Sequence, residues 1–157
     1  MSSASDRLRE LGLRLPAAPA AMASYVPTVQ VPVADGRSLL YISGQVASQD
    51  GTLLTGRVPD EVDLAHAQQA ARCCALSILA QLDSAVGLDN VERLVNLTVW
   101  VNCTSDFTEQ PTVANGASDL LVQVLGETGK HTRAAVGACG LPKDVTVEIG
   151  AIALVRT

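Results

Sequence analysis

Few polar side chains of the 157-residue chain stand inside apolar segments, and those are where chemistry could be done. They are Tyr25, the Ser43-Gly44-Gln45 step, Asn115, Arg133 and Glu148. Arg133 says the most. It opens the apolar segment RAAVGACGL, where a guanidinium must find a partner or build a site, because burying an unpaired charge is costly. Its planar fork of N–H donors matches a carboxylate, and it keeps its charge at any physiological pH. Residue types alone leave two readings open: a structural ion pair, with Glu148 or with a neighbouring subunit, and a grip for an anionic ligand.

Other chemistries find little support. The two histidines, His66 and His131, fall in no metal-ligand spacing, and no nucleophile elbow, P-loop or dinucleotide fingerprint occurs. No metal and no cofactor is therefore expected. His66 lies among Gln and Ala and reads as a solvated helix residue, and His131 as a loop residue. The cysteines at 73, 74, 103 and 139 make no C-x-x-C pair, and the adjacency of Cys73 and Cys74 disfavours a bond between them. Reduced, buried thiols are expected.

Composition narrows the partners. Sixteen acidic residues against 11 basic ones give a net charge of −5, and only Tyr25, Tyr41, Trp100 and Phe107 are aromatic. Nucleic-acid binding needs clustered Lys and Arg, and single strands need stacking platforms, so no nucleic-acid partner is expected. No apolar run approaches the roughly 20 residues that span a bilayer, so no membrane is expected. MSSASDRLRE lacks the apolar stretch of a secretory signal, and a soluble cytoplasmic protein is the expectation. A chain of this length suits one domain exposing about 7,500 Å² when folded.

The elements that must position the polar set follow from periodicity. Residues 1–21 read as a short helix over 4–13, capped by Ser5 or Asp6 with Ala4, Leu8 and Leu11 on one face, then a Pro/Ala-rich lead-in. A single domain is expected over 22–157. It begins with an edge or bulged strand at 25–33, since Pro27 and Pro32 cannot donate to a ladder. Asp35-Gly36 turns into a second strand at 38–46, and Asp50-Gly51 marks another turn. Apolar residues at spacings of three and four predict a helix from Asp60 to Val86, begun by Pro59-Asp60 and stopped by Gly87. The strand at 94–101 should point Val95, Leu97, Val99 and Val101 to one side. A second helix starts near Pro111 with Val113, Ala117, Leu120, Leu121 and Val124 inward. Strands near 132–138 and 145–155 close the chain. This order predicts a two-layer α+β sandwich with both long helices on one sheet face.

At this point SYVPTVQV, LLYISGQV and HTRAAVGACGLPKDVTVEIGAIALV together resemble the reactive-intermediate deaminase family, also known as RidA, YjgF or endoribonuclease L-PSP. The Arg, short strand, Leu-Pro-Lys-Asp and Val-x-Val-Glu-Ile run of the last segment is the most specific part. FTEQPTVANGASDLL (107–121) gives the chain the character of a divergent branch. The resemblance implies a chorismate-mutase-like α+β fold: a mixed sheet of about six strands with two helices on one face, assembled as a barrel-like homotrimer with ligand clefts between subunits. It implies that Arg133 grips a substrate carboxylate, that Tyr25, the Gly44 backbone and Asn115 line the cleft, and that Glu148 contributes to ligand binding. The implied partner is a small carboxylate metabolite, and the implied activity is hydrolysis of enamines and imines to 2-keto acids and ammonia.

One position departs from the family pattern. Where the signature continues with a second Glu, which handles the attacking water, this chain has Gly150. Glu148 points to the same sheet face but lies ~7 Å along the strand, outside the tolerance of general-base geometry. The position two after Arg133, often Cys or Thr in relatives, is Ala135. His131 and Glu109 could take over the lost function, but sequence alone does not place them. The alternative is a non-catalytic binding or regulatory trimer. Ribonuclease activity, implied only by the family's older label, lacks the basic surface and paired catalytic groups it would need.

Overall fold

The computed structural model describes residues 2–156. Met1 and Thr157, the outer ends of the expected lead-in and domain, lie outside the described residues. The chain order is α1 (Ala4–Glu10), β1 (Thr28–Ala34), β2 (Arg37–Val46), β3 (Ser48–Gln49), β4 (Thr52–Leu53), α2 (Leu64–Val86), β5 (Val91–Asn102), α3 (Gln110–Leu125), β6 (Thr132–Ala138) and β7 (Val147–Arg156). Five strands form one mixed sheet in the order β1-β2-β7-β5-β6, with only β5 and β6 parallel. The expected sixth strand is instead a separate two-stranded ladder, β3 with β4. The α+β class with two long helices on one face is as the sequence implies, and the fold exposes 7793 Å².

Turn chemistry explains the strand connections. Asp35-Gly36 and Asp50-Gly51 all adopt positive φ, the left-handed conformation that tight hairpins require. β1 is an edge strand with a register shift between Pro32 and Ala34, as its prolines demand. β7 lies at the centre, where Val147, Ile149, Ala151, Ala153 and Val155 are buried under the helices.

The helices meet that face through small residues. α3 buries Val113, Ala117, Leu120, Leu121 and Val124, the predicted face. A Cβ at Gly116 would lie 2.3 Å from the Gln68 carbonyl oxygen, so only glycine lets α3 approach α2 this closely. α2 begins later than predicted. Asp60 is engaged by Arg57 at 2.6 Å in the preceding turn, and Asp63 caps the helix by accepting from the His66 N–H at 2.8 Å. α1 is capped by Ser3, with Asp6 reaching back to the Ser3 N–H at 3.2 Å. Ala4 and Leu8 join the core, whereas Leu11 is exposed.

Three further expectations are corrected. A bulge between Leu94 and Asn96 shifts the phase of β5, so that Leu94 is buried and Val95 faces solvent. Cys139 is exposed because it follows the end of β6, while Cys73, Cys74 and Cys103 are buried and free. His66 is half-buried, with Nε2 shielded from solvent and without a hydrogen-bond partner.

No helix among the described residues covers the second face of the sheet. Val29, Val31, Tyr41, Trp100 and Val136 stand exposed there, Val29 paired with Tyr41 and Trp100 with Val136. The row Glu148, Gly150, Ile152 and Leu154 of β7 belongs to this open face.

Candidate functional site

Two separate clusters hold the residues that the sequence singles out. The first is built where β2 bulges. Register between β2 and β7 shifts between Ile42 and Gln45, which takes Ser43 and Gly44 out of the ladder. The Ser43 hydroxyl donates to the Val26 carbonyl at 2.7 Å and its N–H to the Pro27 carbonyl at 2.9 Å, fastening the lead-in over the bulge. Gln45, past the bulge, turns inward. Its amide donates to the Ser43 carbonyl at 2.9 Å, and the buried Gln81 of α2 donates to the Pro19 carbonyl at 2.7 Å. The Gln81 amide also donates to Gln45 Oε1 at 3.4 Å, so Gln45 is structural, joined through Gln81 to the lead-in at Pro19.

Tyr25, Ser43, Gly44, Lys143 and Glu148 then line one cavity of about 480 Å³. Tyr25 is 45% exposed, and its hydroxyl oxygen accepts from the Met22 N–H at 3.2 Å. Glu148 is half-buried, pairs in register with Val46 and Trp100, and has no hydrogen-bond or ionic partner among the described residues. Burial pushes its carboxyl above the usual carboxylate range. The reason for Gly44 is steric: an added Cβ would sit 2.1 Å from Glu148 Oε1. Lys143 is a site residue that sequence reasoning missed. Its positive φ, shared with Asp144, is stabilised from β5, where the buried Asn102 donates to Asp144 Oδ1 at 3.0 Å. The Leu-Pro-Lys-Asp run was its one signal.

The second cluster gathers on β6 and α3. Arg133 pairs in register with the buried Leu97, so it belongs to the helix-covered side of the sheet, at its edge. Its NH1 donates to Ser118 Oγ and its NH2 to the Pro111 carbonyl, each at 2.9 Å. His131 brackets the same hydroxyl: Nε2 lies 2.9 Å from Ser118 Oγ and Nδ1 2.6 Å from the Gly129 carbonyl. Ser118 is the second residue sequence reasoning missed, and nothing in its spacing marked it. Asn115 is one turn away on α3 but exposed, lining an outer groove with Gln68, Arg72 and Asp119. Glu109 precedes α3, exposed and without a capping bond. Ala135 packs against the core.

The structure therefore brings Tyr25, Gly44 and Glu148 together and sets Arg133 apart from them. An ion pair between Arg133 and Glu148 within one chain is excluded: they lie on opposite sheet faces with β5 between their strands, a lateral separation of roughly 10 Å. No group of three or more His, Cys, Asp or Glu side chains able to hold a metal occurs among the described residues. No helix among them is long and apolar enough to cross a membrane.

Comparison with known proteins bears on the fold and the family. Residues 15–155 match the family described as endoribonuclease L-PSP. Protein TCP17 of Trypanosoma cruzi is 44% identical over 148 residues, covering 92% of this chain and 89% of its own. Among solved structures, protein Atu1372 from Agrobacterium tumefaciens is 42% identical with a TM-score of 0.86, over 98% of this chain and 93% of its own. TdcF of E. coli, solved with bound serine, is 25% identical with a TM-score of 0.62, over 89% of this chain and 94% of its own. With a family match over nearly its whole length and a relative well above 30% identity, the chain belongs to the endoribonuclease L-PSP family, the YjgF/RidA group.

Proposed function

We propose that the protein binds a small carboxylate-bearing metabolite in a cleft shared by two copies of the chain, and hydrolyses imine-type intermediates there to 2-keto acids and ammonia. Arg133 carries this reading. Its guanidinium is held by Ser118 and Pro111, which use two of its five N–H donors and leave the rest for a carboxylate. A preoriented fork loses little freedom on binding, which favours affinity. TdcF, a relative with bound serine, supports a ligand of this chemical class.

The two-cluster geometry supports a composite cleft. Arg133 stands at one edge of the sheet, and the Tyr25–Glu148 cavity lies toward the other. A second copy packed on the open face would cover Val29, Val31, Tyr41 and Trp100 and bring its own Arg133 toward that cavity. The family is typically trimeric, and we assign the same homotrimeric state to this chain. Gly150 favours one other reading, a trimer that binds such a carboxylate without chemistry, since position 150 itself carries no carboxyl group and Glu148 lies two residues along the strand.

The test generates 2-iminopropionate enzymatically and follows its loss. Wild type should consume it well above buffer, and Arg133→Ala should lose at least about 100-fold, the scale set by losing two charge-assisted hydrogen bonds. Wild type no faster than buffer removes the hydrolase reading. Titration with pyruvate then decides the binding reading, which requires saturable binding that Arg133→Ala abolishes.

A further inference from the structure

We infer that Ser118 and His131 form the proton relay of the Arg133 site, with Ser118 touching the attacking water and His131 acting through it. The inference rests on the carboxylate-binding reading above and supplies what Gly150 lacks. For a neutral imidazole the hydrogen-bond directions follow by elimination. The Gly129 carbonyl can only accept, so the imidazole proton sits on Nδ1, 2.6 Å away, and Nε2 is the bare nitrogen. Nε2 therefore accepts the Ser118 hydroxyl proton across 2.9 Å. The hydroxyl oxygen in turn accepts from Arg133 NH1 at 2.9 Å. A hydroxyl has one proton and two lone pairs, so one lone pair of Ser118 remains open beside Arg133.

That arrangement polarises Ser118 from both sides, with a base on its proton and a cation on its oxygen. A base held in place by a third group, here a backbone carbonyl, is the recurring design for activating a hydroxyl. A carboxylate bonded to Arg133 sits about 3 Å from the guanidinium, and the imine carbon is one bond beyond. Water on the open lone pair of Ser118 therefore lies within reach of that carbon. Glu148, on the opposite sheet face of the same chain, does not reach Ser118 or His131.

The step balances from the protonated imine. The water oxygen bonds to carbon as the C=N π pair moves to nitrogen, the water proton passes to Ser118 Oγ, and the Ser118 proton passes to His131 Nε2. The imidazolium returns its proton through Ser118 to the amino group. The C–N bond then breaks as the carbonyl forms, releasing ammonia and the hydroxyl proton. The substrate carboxylate offsets the Arg133 charge, which lets the nearby imidazole accept a proton. The other charged groups on the surrounding elements are the Lys130–Glu127 pair at 2.8 Å in the preceding turn, Arg93 of β5, which donates to the Glu127 carbonyl at 2.7 Å, Arg7 of α1, which donates to the Val124 carbonyl at 2.5 Å, and Asp119 on α3.

The experiment measures 2-iminopropionate hydrolysis from pH 5.5 to 8.5, with pyruvate affinity alongside, for wild type, Ser118→Ala, Ser118→Thr, His131→Gln and His131→Gly. Ser118→Ala and His131→Gln should lose about 100-fold in kcat, the usual scale of acid–base catalysis, while pyruvate affinity falls far less: within about threefold for His131→Gln, and within about tenfold for Ser118→Ala, which also removes one of the two anchors of Arg133. His131→Gln should lose the acid limb of the pH profile. Ser118→Thr should retain activity, and free imidazole should restore His131→Gly. Variants with wild-type kcat and pH profile overturn the relay, as does a rate loss matched by an equal loss of pyruvate affinity, which makes the pair only an anchor for Arg133. Wild type that binds pyruvate but hydrolyses nothing also overturns the relay while the carboxylate site stands. Failure to bind pyruvate overturns the underlying reading itself.

Discussion

Replacing Gly44 with alanine would put a methyl carbon 2.1 Å from Glu148 Oε1 and 3.0 Å from its carboxyl carbon, inside any sustainable contact. The obstacle is the end of a flexible side chain, so the carboxyl should swing away and the strand stay intact. The backbone at 44 does not have the positive φ that would strain alanine, and Gly→Ala gains about 0.5–1 kcal/mol through the unfolded chain. Net stability at neutral pH should change by no more than about 1 kcal/mol in either direction. The diagnostic is its pH dependence. Burial raises the Glu148 carboxyl in the folded state, so its contribution is fully present below the ordinary carboxylate range and is lost as pH rises through the raised value. In Gly44→Ala the freed carboxyl returns to ordinary acidity and that loss disappears. Urea unfolding from pH 4 to 8 at fixed protein concentration should show the variant gaining on wild type as pH climbs. Parallel stability curves, or destabilisation beyond about 2 kcal/mol, would refute the steric account of Gly44.

The open face and the interior make further predictions. A Cβ at Gly150 would meet only Ile42 O at 3.6 Å and Trp100 at 3.8 Å, so Gly150→Glu should fold and raise imine hydrolysis at least about tenfold; an unfolded or unimproved variant contradicts this. Tyr41→Glu places a charge in the exposed apolar row and should turn the proposed trimer into monomers in light scattering, whereas a mass equal to that of wild type removes the open face from the interface. Gln81→Leu strips the Pro19 carbonyl of its buried donor and should cost about 1–3 kcal/mol in urea unfolding, with faster proteolysis within residues 16–27; a neutral result would show that the lead-in is held otherwise.

Periodicity read the helices well because α3 buries one stripe of apolar side chains and α2, buried on most sides, still carries its apolar residues at spacings of three and four, and hairpin turns were legible because Asp-Gly dictates its own backbone. Val95 was misread because alternation says nothing of a bulge, which reverses the phase without changing composition. Arg133 shows the same limit at the site. Its residue type left an ion pair and an anion grip both open, and only the parallel register of β6 on β5 decides that it shares Leu97's face and not that of Glu148. Gly44 was assigned to the cleft by resemblance alone, and its steric reason lies in Glu148 across the β2–β7 pairing. Ser118 and His131 are 13 residues apart and individually unremarkable, and the turn at Gly126–Gly129 brings them together.

The central claim is that each site joins Arg133 of one copy to the Gly44–Glu148 cavity of another, and subunit mixing tests it most directly. Arg133→Ala and Gly44→Val chains, each purified alone, should bind no pyruvate. Co-expressed in equal amounts and assembled at random, they place both intact halves at about a quarter of the interfaces in a cyclic trimer. The account predicts recovery of about a quarter of the wild-type sites at wild-type affinity. No recovery would mean that both halves must come from one chain, and would contradict it.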